Sequence, residues 1–324
     1  MKYIYEDKNF KYSFPLRINL KYFIKLIVYF LISLKYSFLI KLLLPKCKIQ
    51  KKYKVSLCAI FRDEGDILKE WIEYHKIVGV EHFYLYNNWS KDNYKQILAP
   101  YIKEGLVTLI DWPYERKQME AYKNCADNYK DESQWIGFID LDEFVVPNGR
   151  METIYDFLKD FDRKAPFVVI YWRYFGSSGL IERDKTQLVT ETFKCCWYKF
   201  EDMGKYFWNT NFNYDTRKKQ QTGYMHSRWG NIKFLDIPSM NEFGKFLLFG
   251  FHKGAKTEFP IQINHYVIKS FNEYCEKKAK RGGGIHAQEG FHNMTYFFDH
   301  DRYCQCMDYK IMRYMIKLKL AMKK

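Results

Sequence analysis

The stretch WIGFIDLDEFVVP, residues 135–147, decides how the chain is read. It opens on an apolar run that predicts a buried strand and then delivers Asp140, Leu141, Asp142 and Glu143. In open α/β sheets, ligands collect beyond the carboxyl ends of such strands. Two carboxylates one residue apart repel each other unless a cation lies between them. Their oxygens suit a hard divalent ion, Mg2+ or Mn2+, which keeps positions open for substrate phosphates. Asp is also a favoured turn residue, so the pair taken alone fits a simple cap equally well.

The sequence on the N-terminal side supplies a frame for that strand. Val55 to Phe61 reads as a short strand, followed by Arg62, Asp63, Glu64 and Gly65 and a helix from about Asp66 to Val78. Ile67, Trp71, His75 and Val78 line one side of this helix, which makes His75 a packed histidine. A second strand, Glu81 to Tyr86, runs into Asn87, Asn88, Trp89 and Ser90 and then a helix ending near Lys103. A third, Leu106 to Ile110, precedes a helix over Gln118 to Tyr129 and then the acidic strand. This alternation predicts an α/β fold with a mainly parallel, Rossmann-type sheet and helices on both faces. Three polar strand ends, Arg62-Asp63-Glu64, Asn87-Asn88 and Asp140-Leu141-Asp142, then share one edge. A nucleotide fits there, base and ribose on the first two and a metal-bound diphosphate on the third.

Charge separates the ends from the middle. The net charge is +15, yet residues 1–54 hold 13 Lys and Arg against 2 Asp and Glu, and residues 302–324 hold 7 against 1. The middle is nearly neutral, which excludes a basic nucleic-acid channel and suits two ends attracted to an anionic membrane surface. Between Tyr22 and Leu44 an apolar run is interrupted by Lys25, Lys35 and Lys41. It reads as a helix on a membrane surface, as a docked helix, or as a span with Lys35 buried. No small-residue cleavage site follows, which argues against a cleaved signal peptide. From Tyr309 to Lys324, Lys310, Arg313, Lys317 and Lys324 share one helical face, and Ile311, Tyr314, Met315, Leu318 and Met322 share another. This basic helix either packs on the domain or touches membrane. The expected organisation is a basic extension over 1–54, a catalytic domain over 55–301 and a basic C-terminal helix over 302–324.

Eight cysteines show no C-x-x-C spacing and no compact framework, which argues against zinc and a disulfide scaffold and for a reducing compartment. Cys195-Cys196 and Cys304-Gln305-Cys306 are the close pairs that leave metal or redox chemistry open.

Four stretches carry a resemblance: AIFRDEGDILKEWIEYHKIVGVEHFYLYNNWSKD at 59–92, WIGFIDLDEFVVP, WRYFGSSG at 172–179 and INHYVIKSFNEYCEKKAKRG at 263–282. In this order and spacing the chain resembles GT-A glycosyltransferases, specifically the family 92 and family 2-like group. The resemblance implies a nucleotide-sugar donor, a UDP-sugar favoured, and a divalent metal, Mn2+ or Mg2+. Asp140 and Asp142 would hold that metal with His265 as third ligand and His252 as its competitor. Arg62, Asp63, Glu64, Asn87 and Asn88 would meet the donor, with Lys278 and Arg281 adding positive charge beside Gly282, Gly283 and Gly284. That glycine run reads as a loop closing over the diphosphate or as an ordinary surface loop.

Trp172, Phe175, Ser177 and Ser178 offer aromatic faces and hydroxyls to a glycan or glycolipid acceptor. The family likeness favours inversion, which needs one carboxylate base. Glu191, Asp202 and Asp215 are the candidates, Glu191 first. The chain departs from the family pattern by Asp63-Glu64 in place of Asn-Glu and Asn87-Asn88 in place of Asp-Asn. The implied setting is cell-surface polysaccharide or lipopolysaccharide synthesis by a cytoplasmic protein at the inner face of the cell membrane. Two other readings stand beside this one: a haloacid-dehalogenase-like phosphatase with Asp140 as nucleophile, and a non-catalytic membrane-surface module.

Overall fold

A computed structural model describes residues 20–44, 50–199, 203–214, 229–233, 235–248, 259–281 and 292–323. The chain divides into two units, Met1–Leu44 and Pro45–Lys324. In the first, α1 (Leu20–Leu43) is a 24-residue helix without an acidic residue in its first turn. Ten of its large apolar side chains, from Phe23 to Leu42, are exposed. By length and composition alone, Phe23–Leu43 is able to cross a membrane.

The second unit begins as the sequence predicts. β1 (Tyr53–Phe61), α2 (Gly65–Ile77), β2 (His82–Asn87), α3 (Tyr94–Lys103), β3 (Val107–Asp111), α4 (Gln118–Tyr129) and β4 (Ser133–Phe138) follow in order. The four strands lie parallel in the spatial order β3-β2-β1-β4. Side chains of alternate strand residues point to opposite faces, so each face needs its own cover. Cys58, Tyr84, Tyr86, Ile136 and Phe138 pack on Ala121, Tyr122 and Cys125 of α4. On the other face Trp71 of α2 lies against Phe83, ring centroids 5.4 Å apart.

Beyond the acids the order changes. β5 (Glu143–Pro147), α5 (Ile154–Leu158), β6 (Phe167–Tyr174), α6 (Val189–Thr192), β7 (Cys195–Trp197) and β8 (Gly204–Asn209) come next. β8 inserts antiparallel between β4 and β6. The insertion is tight at Gly137, where a Cβ would stand 2.4 Å from the Phe207 ring and 2.7 Å from Leu57. β9 (Asn213–Tyr214), β10 (Trp229–Ile232) and β11 (Leu235–Pro238) make a small separate sheet, and β12 (Met240–Asn241) adds parallel to β6. β13 (Ile261–His265) lies between β6, to which it is parallel, and β5, to which it is antiparallel.

The chain then runs through α7 (Phe271–Glu273), a π-helical turn over Tyr274–Lys278 and α8 (Ala279–Arg281), and later α9 (Met294–Arg302), β14 (Cys304–Met307) and α10 (Met315–Met322). Ile311, Tyr314, Met315 and Leu318 are buried, and Tyr314 meets Tyr74 of α2 edge-on at 5.8 Å. Of the two readings of the basic C-terminal segment, packing on the domain is therefore realised, within the same unit as the sheet. Ile316 and Leu320 still face outward.

Candidate active site

The carboxyl ends of β1 and β4 open into a cleft of about 380 Å³. Its lining includes Arg62, Glu64, Asn88, Trp89, Asp140, Asp142, Lys277 and Lys278. The acids are not left to repel one another. Lys205 of β8, a buried residue, places Nζ 2.7 Å from Asp140 Oδ2 and 3.6 Å from Glu143 Oε1. Lys278 places Nζ 3.0 Å from Asp142 Oδ2. Burial works against the charge on Lys205, but Asp140 and Glu143 outweigh it and hold its pKa at about 12. Burial would likewise raise Asp142, yet Lys278 and His265 keep it well below the usual carboxylate range.

His265 comes from the end of β13, beside Glu143 in the antiparallel register. Its Nε2 lies 3.6 Å from Asp142 Oδ1 and 3.9 Å from Glu143 Oε1. Ligand atoms of Asp142, Glu143 and His265 all fall within 4.8 Å of one another. Glu143 is fully buried, accepts the Asp140 amide on Oε2 at 3.0 Å and leaves Oε1 without a hydrogen-bond partner. Burial pushes its pKa well up. Burial also lowers His265, against the pull of Asp142, which favours the neutral, ligand-competent imidazole. Asp140 stands apart from this trio: its Oδ1 accepts from Gln118 at 2.8 Å and from Tyr122 at 3.2 Å.

Several predicted donor residues hold the loops that shape the cleft. Asp63 is left-handed at φ 51°, a conformation that Asn and Asp tolerate best after Gly, and its Oδ1 accepts the Lys91 amide at 2.6 Å. Asp can thus do here what Asn does, which accounts for the first departure from the family pattern. Asn87 is buried and donates to Tyr94 and to Asp111, both at 2.9 Å, so it braces the loop and does not line the cleft. Asn88 and Arg62 do line the cleft, the guanidinium of Arg62 lying 5.8 Å from the Trp89 ring centroid. Glu64 is held by Lys277 at 3.0 Å.

The acceptor set is split. Trp172 lies beside His265, centroids 5.0 Å apart. Phe175 is fully buried against Tyr266, which corrects its reading as an acceptor contact. Ser177 takes its amide to Asp301 at 2.7 Å, and Ser178 Oγ accepts the Lys194 and Cys195 amides, so both hydroxyl residues fasten a loop. Glu191 is not brought to the cleft either. Glu70 accepts the Val189 and Thr190 amides and anchors α6 on α2, and Glu191 there pairs with Lys319. Asp202, Asp215 and His252 lie outside the described residues, as do the side chain of Arg281 and the run 282–284. Sequence reasoning missed Lys205, Lys269 and the ligand-competent oxygen of Glu143. One signal was present, a lone Lys in the apolar strand GKYFWN.

An open α/β sheet with a parallel N-terminal half, and with paired acids and a histidine at its strand ends, defines a GT-A-like glycosyltransferase fold. Residues 51–301 match glycosyltransferase family 92, and the chain belongs to that family. A family 92 protein of Ricinus communis is 30% identical over 156 residues, covering 47% of this chain and 28% of the relative. One of Oryza sativa subsp. japonica is 31% identical over 116 residues, covering 36% and 20%. A beta-1,4-galactosyltransferase of Caenorhabditis elegans is 28% identical over 118 residues, covering 32% and 28%. The matches thus span less than a third of these relatives' own length. A crystal structure of S. aureus TarS residues 1–349 aligns at TM-score 0.32 and 10% identity over 52% of each chain, too remote to add to the family match. Family membership displaces the phosphatase reading of Asp140.

Proposed function

We propose that this chain transfers a sugar from a UDP-sugar to a glycan or glycolipid acceptor, with inversion, using Mn2+ or Mg2+. The observation that carries the reading is the meeting of Asp142, Glu143 and His265 beside a cleft lined by Arg62, Lys269, Lys277 and Lys278. Glu143 Oε1 is buried without a hydrogen bond, with Lys205 Nζ standing off at 3.6 Å, and so keeps a lone pair for a metal ion. The two carboxylates suit a hard divalent ion such as Mn2+ or Mg2+, and the imidazole adds a nitrogen ligand. An ion held there would supply Lewis-acid stabilisation of charge on a departing diphosphate.

The chain's own groups account for the rest. Lys205, Gln118 and Tyr122 fix the carboxylate of Asp140 while its side chain remains 34% exposed, open to a ribose hydroxyl. Lys277 and Lys278 are adjacent in the π-helical turn and present two ammonium groups to the diphosphate. Trp89 and Tyr114, both on the cleft wall, offer exposed rings to the base. Trp172, next to His265, is the acceptor-side aromatic. The galactosyltransferase among the relatives supports a hexose as the transferred group. The exposed apolar α1 and the basic ends support work at the cytoplasmic face of a membrane, in cell-surface polysaccharide or lipopolysaccharide synthesis.

Calorimetric titration with UDP, with and without Mn2+, tests the reading. Wild type is expected to bind only with metal, and Asp142→Ala to lose both binding and turnover, the latter on the order of 10³-fold. Failure of UDP with metal present overturns the assigned base. Silence from GDP, CMP and dTDP as well overturns the donor site.

A further inference from the structure

The two cysteine pairs singled out in the sequence, 195–196 and 304–306, lie far apart in the chain but adjacent in the fold. β7 and β14 form a separate two-stranded antiparallel ribbon, with Cys306 opposite Cys196 and Met307 opposite Cys195. Burial alternates along it: Cys196 is buried and Cys304 and Cys306 half-buried, whereas Gln305 and Met307 are exposed. The outer pair confirms the register at the level of side chains, because Cys195 Sγ lies 3.5 Å from Met307 Sδ. Cys196 and Cys306 therefore share the inner face.

Directly opposed residues of an antiparallel pair have Cα atoms roughly 4.5–5.5 Å apart and side chains on one face. That separation falls inside the range of about 4.4–6.8 Å that a disulfide bridges. Cys304 is the weaker partner for Cys196. It stands opposite Trp197 across an irregularity in the register and packs against Gly176, where a Cβ would come within 2.4 Å of its sulfur. All these thiols are free.

We propose that Cys196 and Cys306 form a reversible dithiol–disulfide pair, a modification site on the ribbon that flanks the acid cluster. The oxidant is a low-molecular-weight disulfide. The thiolate of the more accessible Cys306 attacks one of its sulfurs, forming a mixed disulfide and releasing one thiol. Cys196 then gives up its proton and attacks the Cys306 sulfur, closing the protein bond and releasing the second thiol. Two protein thiols lose two electrons and two protons, and the small disulfide gains them. Burial raises the Cys196 thiol to about 11, which leaves the first attack to Cys306, and the second is favoured by the facing of the two residues across the ribbon.

The bond would act on the site through Trp197. Its ring packs on Tyr174 at 4.6 Å, its indole N–H donates to the His300 carbonyl at 2.8 Å, and Tyr174 lies 5.3 Å from the His265 ring. Closing the ribbon clamps this aromatic wall beside the cluster.

The test uses the full chain, reduced, desalted and then incubated with oxidised glutathione. Thiol titration after denaturation should show two thiols lost per chain, restored by dithiothreitol. Non-reducing peptide mass spectrometry should find the Cys196 peptide joined to the Cys306 peptide. Cys306→Ser should abolish the link, as should Cys196→Ser, and Cys304→Ser should leave it. The half-exposed Cys306 keeps the test valid should the buried substitution fail to fold. An unchanged thiol count, a link through Cys304 or Cys195, a persistent glutathione adduct on Cys306 or a bond between chains each overturns the proposal.

Discussion

From Tyr53 to Phe138 strand and helix alternate along the chain, and all four strands run parallel. From Glu143 onward the strands enter the same sheet out of order, β8 beside β4 and β13 between β6 and β5. The anions come from one contiguous run, Asp140 to Glu143, at the junction of the halves. Their counter-charges come from the second half alone, Lys205 at a sequence distance of 65 from Asp140 and Lys278 at 136 from Asp142. Electrostatic balance in this site is thus a property of the tertiary fold, and no single segment contains it.

The largest effect expected on that balance follows from removing Lys205. Lys205→Met leaves Asp140 and the fully buried Glu143 without their cation. Breaking a buried pair costs about 3–5 kcal/mol, and partial access of water to Asp140 brings the expected loss down to roughly 2–3 kcal/mol. Urea unfolding measures it, and adding Asp140→Asn should recover part of the loss. Equal stability of Lys205→Met and wild type would mean that the halves are not electrostatically coupled.

A second link between the halves is His75, which bridges α2 and β5. Its Nδ1 meets the Trp71 carbonyl at 2.8 Å, and its Nε2 accepts the Val145 amide at 3.2 Å. Full burial lowers its pKa from 6.5 to about 3, since protonating Nε2 would also forfeit the bond from Val145. The unfolded chain binds this proton below pH 6.5 and the folded chain does not. The contribution is therefore complete above pH 6.5 and lost as the pH falls toward 3, at about 1.4 kcal/mol per pH unit. His75→Gln keeps a donor and an acceptor without titrating. Its stability should fall less steeply in that window, and identical slopes would remove His75 from the account.

The smallest effect is expected at Glu191. Its pairing with Lys319 is partly solvent-exposed, so Glu191→Gln should change stability by less than about 1 kcal/mol and turnover by less than about twofold. A 100-fold fall in turnover would return Glu191 to the role of base and place the reacting centre elsewhere.

The parallel half was readable because local signals specify it. Apolar runs, helical periodicity and polar strand ends gave β1 to β4 and α2 to α4 within a residue or two, and His75 as a packed residue. Asp63 and Asn87 were correctly placed at the strand ends but misjudged in role, since loop bracing and ligand contact draw on the same residue types. Phe175, Ser177 and Ser178 were misread for a similar reason: an aromatic followed by small hydroxyls describes a packed turn as well as a sugar shelf. Lys205 is one lysine among 53 Lys and Arg, and only the insertion of β8 gives it meaning. The facing of Cys196 and Cys306 is likewise a consequence of strand pairing, invisible in spacing along the chain.

The position of β8 also bears on how the protein is made. Synthesis delivers β4 some 65 residues before the strand that covers its free edge, and Asp140 before the lysine that neutralises it. A nascent chain halted short of Gly204 would present an open hydrogen-bonding edge flanked by unbalanced acids, a hazard for edge-to-edge pairing. The order of assembly is thereby written into the sheet: the parallel half, β1 to β4, emerges before β8 and stays incomplete until that strand arrives.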